Sequence, residues 1–397
     1  MEHGFFNQLK KGKMDSNLLK NYSRYPINFD HGDGYYLYDK EGNQYLDFLA
    51  GIAVVGLGHN NQNIKKAVIE QVNKLWHTSN LFESEQQEKL ATALAQRSHL
   101  DYVFFCNSGT EANEAAIKFA RKWGNGKSNI ICAKNSFHGR TMGSLSATGQ
   151  EKLWQGFAPM TPGFSFVKYG SEEELVNEYN KNTENVVAIM IEPIQGESGV
   201  IVPPKNYLKF VSDFCKEHNI LFIADEIQTG MGRTGKLFCH QWEEVKPDIV
   251  TVAKGIANGL PLAAVICAKE VSDCIKPGDH GSTFGGNPVA LASALEVIKE
   301  LNEDVLLGNI IKGNAIIEAI SELKSDKIVS VRGMGLMIGV EFNKDISAKS
   351  VAKMLLAKKI VVATSGDSVI RLLPPFIIDS DAINKFIKVF SEVLNEI

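Results

Sequence analysis

The sequence predicts an α/β protein, with a large domain built on a mostly parallel sheet flanked by helices and a smaller α+β domain after it. Three observations carry that expectation. From about residue 100, short apolar and β-branched runs alternate with helical patterns. An Asn287-Pro288 pair, cap followed by first-turn proline, then opens a long helix and interrupts the alternation. Beyond it come helices and two short strands. With 397 residues, 44% hydrophobic and 22% charged, the chain has enough material for a large core plus a second unit. The expected division is an N-terminal segment, 1–55, joining the small domain, a large domain over 56–286, and the C-terminal small domain over 287–397.

Taken in order, Tyr35–Tyr38 and Gln44–Phe48 read as strands around the turn Lys40-Glu41-Gly42-Asn43. Ile64, Val68, Val72, Leu75 and Trp76 then fall on one helical face, and Ser84 with Gln87 forms a capping box ahead of Leu90 and Leu94. The expected sheet strands are Tyr102–Cys106, Asn129–Ala133, Phe164–Lys168, Val186–Ile191, Leu221–Ala224, Ile249–Ala253 and Leu262–Cys267. After the boundary, strands are expected over Val329–Arg332 and Leu336–Phe342. A final helix places Ile383, Phe386, Ile387, Phe390 and Val393 on one side.

Composition excludes several classes of function. The formal charge of -4 and the lack of long basic blocks give no electrostatic reason to expect nucleic acid or an acidic membrane as partner, so a small-molecule substrate fits better. The six cysteines show no CxxC pair and no zinc spacing, and the nine histidines form no HExxH, so neither disulfides nor a metal site is expected. No apolar stretch is long enough to span a bilayer, and Met1 to Lys20 lack a signal-peptide core. The expected location is the cytoplasm. Met14 is an alternative start, because the polar, lysine-rich segment before it has no periodicity.

The chemistry centres on one lysine. Lys254 closes the apolar run Pro247–Ala253 and precedes Gly255, at the end of what reads as a buried parallel strand. Such a lysine either snorkels to water or is a Schiff-base lysine, whose desolvated amine has a lowered pKa and attacks carbonyls. Upstream, Leu221–Ala224 leads into Asp225, which puts a carboxylate at the same end of a neighbouring strand, where open α/β sheets bind ligands. Pyridoxal phosphate needs this pair: an imine-forming lysine and an anion that keeps its pyridine nitrogen protonated. Alone, Asp225 reads more readily as a cap or turn acid after a strand.

Two further stretches fit a phosphorylated aromatic cofactor. Asn107-Ser108-Gly109-Thr110-Glu111 follows a strand and opens an alanine-rich helix, a natural anion cup, although Ser108 with Glu111 is also an ordinary capping box. Phe137-His138-Gly139-Arg140 sets an aromatic able to stack on a ring near an arginine able to hold a carboxylate. A rival reading comes from Gly230-Met231-Gly232-Arg233-Thr234-Gly235-Lys236, which satisfies GxGxxG and most of GxxxxGK, the marks of a nucleotide-binding protein. Its context argues against it. Leu237 stands where a magnesium-binding Ser or Thr is needed, and Leu237–Trp242 does not read as an amphipathic helix.

These motifs, with Glu192–Val200, Asp225–Gly230, Ala253-Lys254-Gly255 and Gly281–Pro288, occur in the order and spacing of class III pyridoxal-phosphate aminotransferases, and the chain resembles that family from about residue 20 to its end. The resemblance implies a fold-type I transferase. It implies that Lys254 is catalytic, that Asp225 pairs with the ring nitrogen, that Gln228 bonds the ring hydroxyl and that Phe137 stacks on the ring. Ser108, Gly109 and Thr110 would bind the phosphate, joined by Ser282 and Thr283, the latter reaching over from a second subunit in a homodimer with shared active sites. For substrates, it implies that Arg140 holds the distal carboxylate of 2-oxoglutarate or the α-carboxylate of the donor. Arg371 would hold glutamate's α-carboxylate, Glu197 would pair with Arg371 in the other half-reaction, and Tyr22 would line the substrate pocket. Within the family, Leu49–Val54, Leu145–Gly149 and His280–Thr283 resemble the branch acting on acylated ornithine with 2-oxoglutarate in arginine biosynthesis. Succinylornithine, N-succinyl-diaminopimelate, ornithine and 4-aminobutyrate stay open as donors.

Overall fold

The computed structural model describes residues 17–397, so the Met14 start lies outside the described residues. The first strands are β1 (Phe29–Asp33), β2 (Tyr36–Asp39) and β3 (Gln44–Asp47); β4 (Tyr102–Cys106), β5 (Asn129–Ala133), β6 (Phe164–Val167), β7 (Val186–Ile191), β8 (Leu221–Asp225), β9 (Ile249–Val252) and β10 (Ala263–Cys267) follow. The C-terminal strands are β11 (Ile328–Met334), β12 (Met337–Phe342), β13 (Ile360–Val361), β14 (Ala363–Ser365) and β15 (Val369–Leu372).

The central sheet runs β4-β10-β9-β8-β7-β5-β6. All its strands are parallel except β10, which pairs antiparallel with both β4 and β9. Alternate residues feed two cores, because successive side chains leave a strand on opposite faces. Phe222, Ala224, Val250 and Val252 enter one core, and Leu221, Ile223 and Ile249 enter the other. Burial on both faces explains why these strands read as unbroken apolar runs rather than alternating ones.

A second sheet, β1-β2-β3-β13, joins the N-terminal hairpin to the C-terminal region through the parallel pairing of Ile360 with Leu46. The third, β11-β12-β15-β14, is antiparallel. The helix Pro288–Glu300 starts at Asn287, whose side chain caps Val289 and Ala290, and it packs on the helices Gln62–Val72 and Glu85–Ser98.

Some local expectations need correction. The helix carrying Ile64 ends at Val72, so Leu75 and Trp76 do not share its packed face; they are 47% and 67% exposed. Ser84 does accept from Gln87 N, but the Gln87 amide goes to Asn80 and Gly286 O instead of closing the box. Among the described residues no helix is long and apolar enough to cross a membrane, and no cluster of His, Cys, Asp and Glu could hold a metal ion.

Candidate active site

The carboxyl ends of β4, β5, β7, β8 and β9 meet at one edge of the central sheet, where their loops enclose a cavity of about 410 Å³. Ser108, Gly109, Thr110, Phe137, Arg140, Glu197, Asp225, Gln228 and Lys254 all line it. Residues from five separate stretches of chain thus converge because parallel strands deliver their loops to the same side.

Lys254 follows β9 with φ at +40°, a left-handed conformation that a side chain adopts only under constraint. Burial holds its ammonium below the ordinary lysine pKa; Arg371 pushes in the same direction, while Glu197 and Asp225 oppose. The amine is therefore primed to lose its proton.

Asp225 is 3% exposed, and both its oxygens are hydrogen-bonded while it still lines the cavity. Its Oδ2 accepts from Asn113 Nδ2 at 2.8 Å and lies 2.7 Å from His138 Nδ1, while Oδ1 accepts from Ile227 N at 3.1 Å and Thr251 Oγ1 at 3.4 Å. Burial alone would favour neutral His138, but the Asp225 carboxylate outweighs it and raises the histidine's pKa. Asn113 Oδ1 and His138 Nε2 are buried without a hydrogen-bond partner. Neither residue was singled out from the sequence. The signal was Asn113 itself, a polar residue on the packed side of an alanine-rich helix.

At the opposite end of the cavity, Ser108 caps the 15-residue helix Gly109–Trp123 by accepting from Glu111 N. Both sequence readings of this stretch coexist, since a capped helix start still presents first-turn N–H groups that no helical carbonyl can satisfy. Glu111 does not close the box on Ser108 N; its Oε2 accepts from Asn107 N at 3.0 Å. A Cβ on Gly109 would meet the Ile227 side chain at 2.9 Å, so the close approach needs glycine. Thr110 Oγ1 bonds Ser144 Oγ and Thr141 Oγ1.

Glu192, which follows β7, is a further buried carboxyl that sequence reasoning passed over. It accepts from Phe137 N at 2.8 Å and Gly196 N at 3.4 Å, and burial raises its pKa to about 7, with His138 opposing and Asp225 adding. It thereby ties the Phe137 loop to the Glu197 loop.

Arg371 comes from β15, where it is 2% exposed. Its Nη1 donates to Glu197 Oε1 at 2.7 Å and Gln228 Oε1 at 2.9 Å, while Nε lacks a partner. Although burial works against ionisation of Glu197, Arg371 holds its carboxyl below the usual range. Arg140 is exposed, its guanidinium 5.5 Å from the centre of the Phe137 ring.

Three nominated residues lie elsewhere. Tyr22 is 68% exposed and lines a separate groove with Leu49, Leu356 and Val361. Ser282 Oγ accepts from Asn107 Nδ2 at 3.1 Å, which ties its loop to the helix start, and Thr283 is exposed beside it. The rival nucleotide loop is a turn sealed inside the protein: Arg233 and Thr234 are buried, and the segment continues into the short 3-10 turn Cys239–Glu243 instead of an α-helix. Gly230 to Gly235 are all buried, and only Lys236 of the motif is exposed.

The donor set fits pyridoxal phosphate. A buried carboxylate, an amine with a depressed pKa and a helix start that takes an anion lie around one cavity, and buried polar atoms beside the carboxylate lack partners.

Residues 19–394 match the aminotransferase class-III family. The acetylornithine aminotransferase of Oceanobacillus iheyensis is 42% identical over 395 residues, 97% of each chain. Among solved structures, the acetylornithine aminotransferase of Elizabethkingia anophelis superposes with a TM-score of 0.85 at 34% identity, covering 100% of this chain and 99% of that one. The ornithine aminotransferase of Toxoplasma gondii gives 0.91 at 33% identity, covering 100% and 96%. With the geometry of the site and these likenesses together, the chain belongs to the class-III aminotransferases, a family of pyridoxal-phosphate-dependent transaminases.

Proposed function

We propose that this transaminase moves the δ-amino group of N2-acetylornithine to 2-oxoglutarate, giving N-acetylglutamate 5-semialdehyde and glutamate in arginine biosynthesis. The observation that carries the reading is the Arg371–Glu197 pair at 2.7 Å beside the lysine. An enzyme that alternates between a δ-amine and glutamate's α-amine must expose a cation for glutamate's α-carboxylate and neutralise it otherwise. A switchable arginine does both. The acetylornithine aminotransferase name of the 42%-identical relative supports the acylated donor. A second reading, free ornithine, draws on the 0.91 TM-score to an ornithine aminotransferase.

Bound in this cavity, pyridoxal phosphate supplies an electron sink for the carbon that bears the amino group. The side chains do the rest. Lys254 Nζ removes and returns the proton at the reacting carbon, a task that requires the lowered pKa set by its burial. Asp225 would keep the ring nitrogen protonated, and His138 and Asn113 hold the carboxylate in position. Phe137 would stack on the cofactor's ring, and Ser108, Gly109 and Thr110 would hold its phosphate. Gln228 accepts from Arg371 through Oε1, which leaves its amide nitrogen as the group that would bond the ring hydroxyl. Arg140 takes the distal carboxylate of 2-oxoglutarate or the α-carboxylate of the donor.

The active unit in this reading is a cytoplasmic homodimer. The exposed apolar side chains Trp76, Leu81, Phe82 and Phe284, at 67%, 88%, 69% and 61%, give a second copy something to cover. Phe284 adjoins Thr283, so in this reading the loop that carries Ser282 and Thr283 would join the phosphate site of a second copy. The six free cysteines suit a reducing compartment.

The deciding experiment is the absorbance spectrum of the purified enzyme with N-acetylornithine, ornithine or 4-aminobutyrate added. Loss of the bound cofactor's long-wavelength band at low N-acetylornithine is expected. Loss with ornithine or 4-aminobutyrate at lower concentration would move the substrate and keep the family.

A further inference from the structure

The turn that carries Glu197 is held from three sides. At its base, Gln195 and Ile201 exchange both backbone hydrogen bonds at 3.1 Å. Ser198 Oγ donates to Asn135 O, which fixes the turn to the Phe137 loop. The remaining anchors come from the C-terminal sheet. Ser365, in β14, donates to Gly196 O at 3.1 Å. Arg332, in β11, donates through Nε to Gly199 O at 3.0 Å and Val200 O at 3.1 Å, and through Nη2 to Gly199 O at 2.7 Å. Its third nitrogen, Nη1, bonds Glu341 Oε2 and Ser330 Oγ, each at 2.5 Å, so the guanidinium is itself held in place.

The local backbone is shaped around this arginine. Gly199 has φ at +108°, and a Cβ there would stand 3.0 Å from Arg332 Nη2. Glu197 thus projects from a backbone whose carbonyls on both sides are occupied. Its release of Arg371 has to be a rotation of the side chain about a fixed main chain.

We propose that Arg332, oriented by Glu341, is the positioning residue that holds the Glu197 turn in register with Arg371 and so sets the balance between the two half-reactions. The inference rests on the reading of Glu197 as the group that neutralises Arg371. Arg332 touches neither substrate nor cofactor; it acts only through the carbonyls of Gly199 and Val200. Without it, Glu197 spends less time on Arg371, which favours glutamate and disfavours the donor whose amine must approach a neutralised site.

The test follows the two half-reactions separately on holoenzyme, with glutamate and with N-acetylornithine. Arg332→Met is expected to raise the glutamate-to-donor ratio of kcat/KM by about tenfold, mainly through KM, the scale of losing charge-assisted hydrogen bonds. Arg332→Lys, which keeps charge but not the fork, is expected to shift it less. Glu341→Gln should move it in the same direction. In a Glu197→Ala background, Arg332→Met should produce no further change. An equal fall in both half-reactions, or the same shift with and without Glu197, overturns the proposal. If Arg332→Met does not fold, an unchanged ratio in both Arg332→Lys and Glu341→Gln overturns it equally. An unchanged ratio in Glu197→Ala alone instead removes the neutralising role on which the inference rests.

Discussion

Arg371 and Glu197 are 174 positions apart in the chain, yet their side chains meet at 2.7 Å with the arginine almost wholly buried. A buried guanidinium needs an anion, and a substrate carboxylate can supply one as well as Glu197 can. Glu197→Ala should therefore leave Arg371 available to glutamate's α-carboxylate and unpaired in the donor half-reaction. The expected shift in the ratio of the two kcat/KM values is about tenfold toward glutamate, read from single-turnover absorbance changes. An unchanged ratio removes the switching role.

The two arginines should respond differently. Arg371→Ala should raise the KM for glutamate by about ten- to a hundredfold and leave the donor half-reaction closer to normal, since glutamate loses the cation that holds its α-carboxylate whereas the donor complex loses only the Arg371–Glu197 pair, which does not touch the substrate. In the proposed reading Arg140 holds a carboxylate in both half-reactions, so Arg140→Ala should weaken both. Equal affinities for both substrates in the two variants would contradict the division of labour.

Lys254 has no substitute in the cavity. Lys254→Ala should lower kcat by about 10⁴-fold or more, because both the covalent attachment and the proton carrier are lost. The purified variant should also hold its cofactor less tightly, measured by equilibrium dialysis. Transamination at an ordinary rate would overturn the assignment outright.

Asp225→Asn keeps the shape of the side chain while removing the charge. His138 then loses the partner that holds its pKa up, and burial drives it toward the neutral form. With the ring nitrogen no longer held protonated, kcat should fall by about 10²- to 10³-fold, the scale of losing one preorganised electrostatic partner. The check is steady-state kinetics beside an NMR titration of His138. A variant within twofold of the parent, with His138 unmoved, contradicts the linkage.

The central sheet was legible because its strands are buried on both faces, which leaves unbroken apolar runs such as Leu221–Ala224 that composition alone picks out. Asp225 and Lys254 were legible for the converse reason: charge at the end of such a run is conspicuous. What the sequence concealed are contacts made across the chain. Arg371 enters only through the resemblance, because nothing near it in sequence announces Glu197 or Gln228. The strand β15 itself was missed, its short apolar run broken by that same arginine. Asn113 and Glu192 look like ordinary helix and loop residues until the fold places them beside Asp225 and the Phe137 loop. Leu75 and Trp76 misled in the other direction, since periodicity does not show where a helix stops.

Glu192 gives the enzyme a stability that depends on pH. Burial lifts its pKa to about 7, above the ordinary glutamate value, so the folded state binds its proton more tightly than the unfolded chain does. The contribution is therefore present at low pH and is lost as pH rises from the unfolded value toward 7. His138, also raised, works in the same sense: its stabilisation is present below the ordinary histidine value and is lost as pH climbs through the folded pKa. Cofactor-free protein should accordingly become less stable between about pH 5 and pH 8, by up to about 3 kcal/mol from Glu192. Glu192→Gln retains an acceptor for Phe137 N but cannot ionise, so its stability should vary less across the lower half of that range. Thermal midpoints of both proteins at intervals from pH 5 to 8 provide the measurement. Parallel curves would show that the Glu192 proton is not what the fold retains, and that its two backbone hydrogen bonds keep it ionised despite burial.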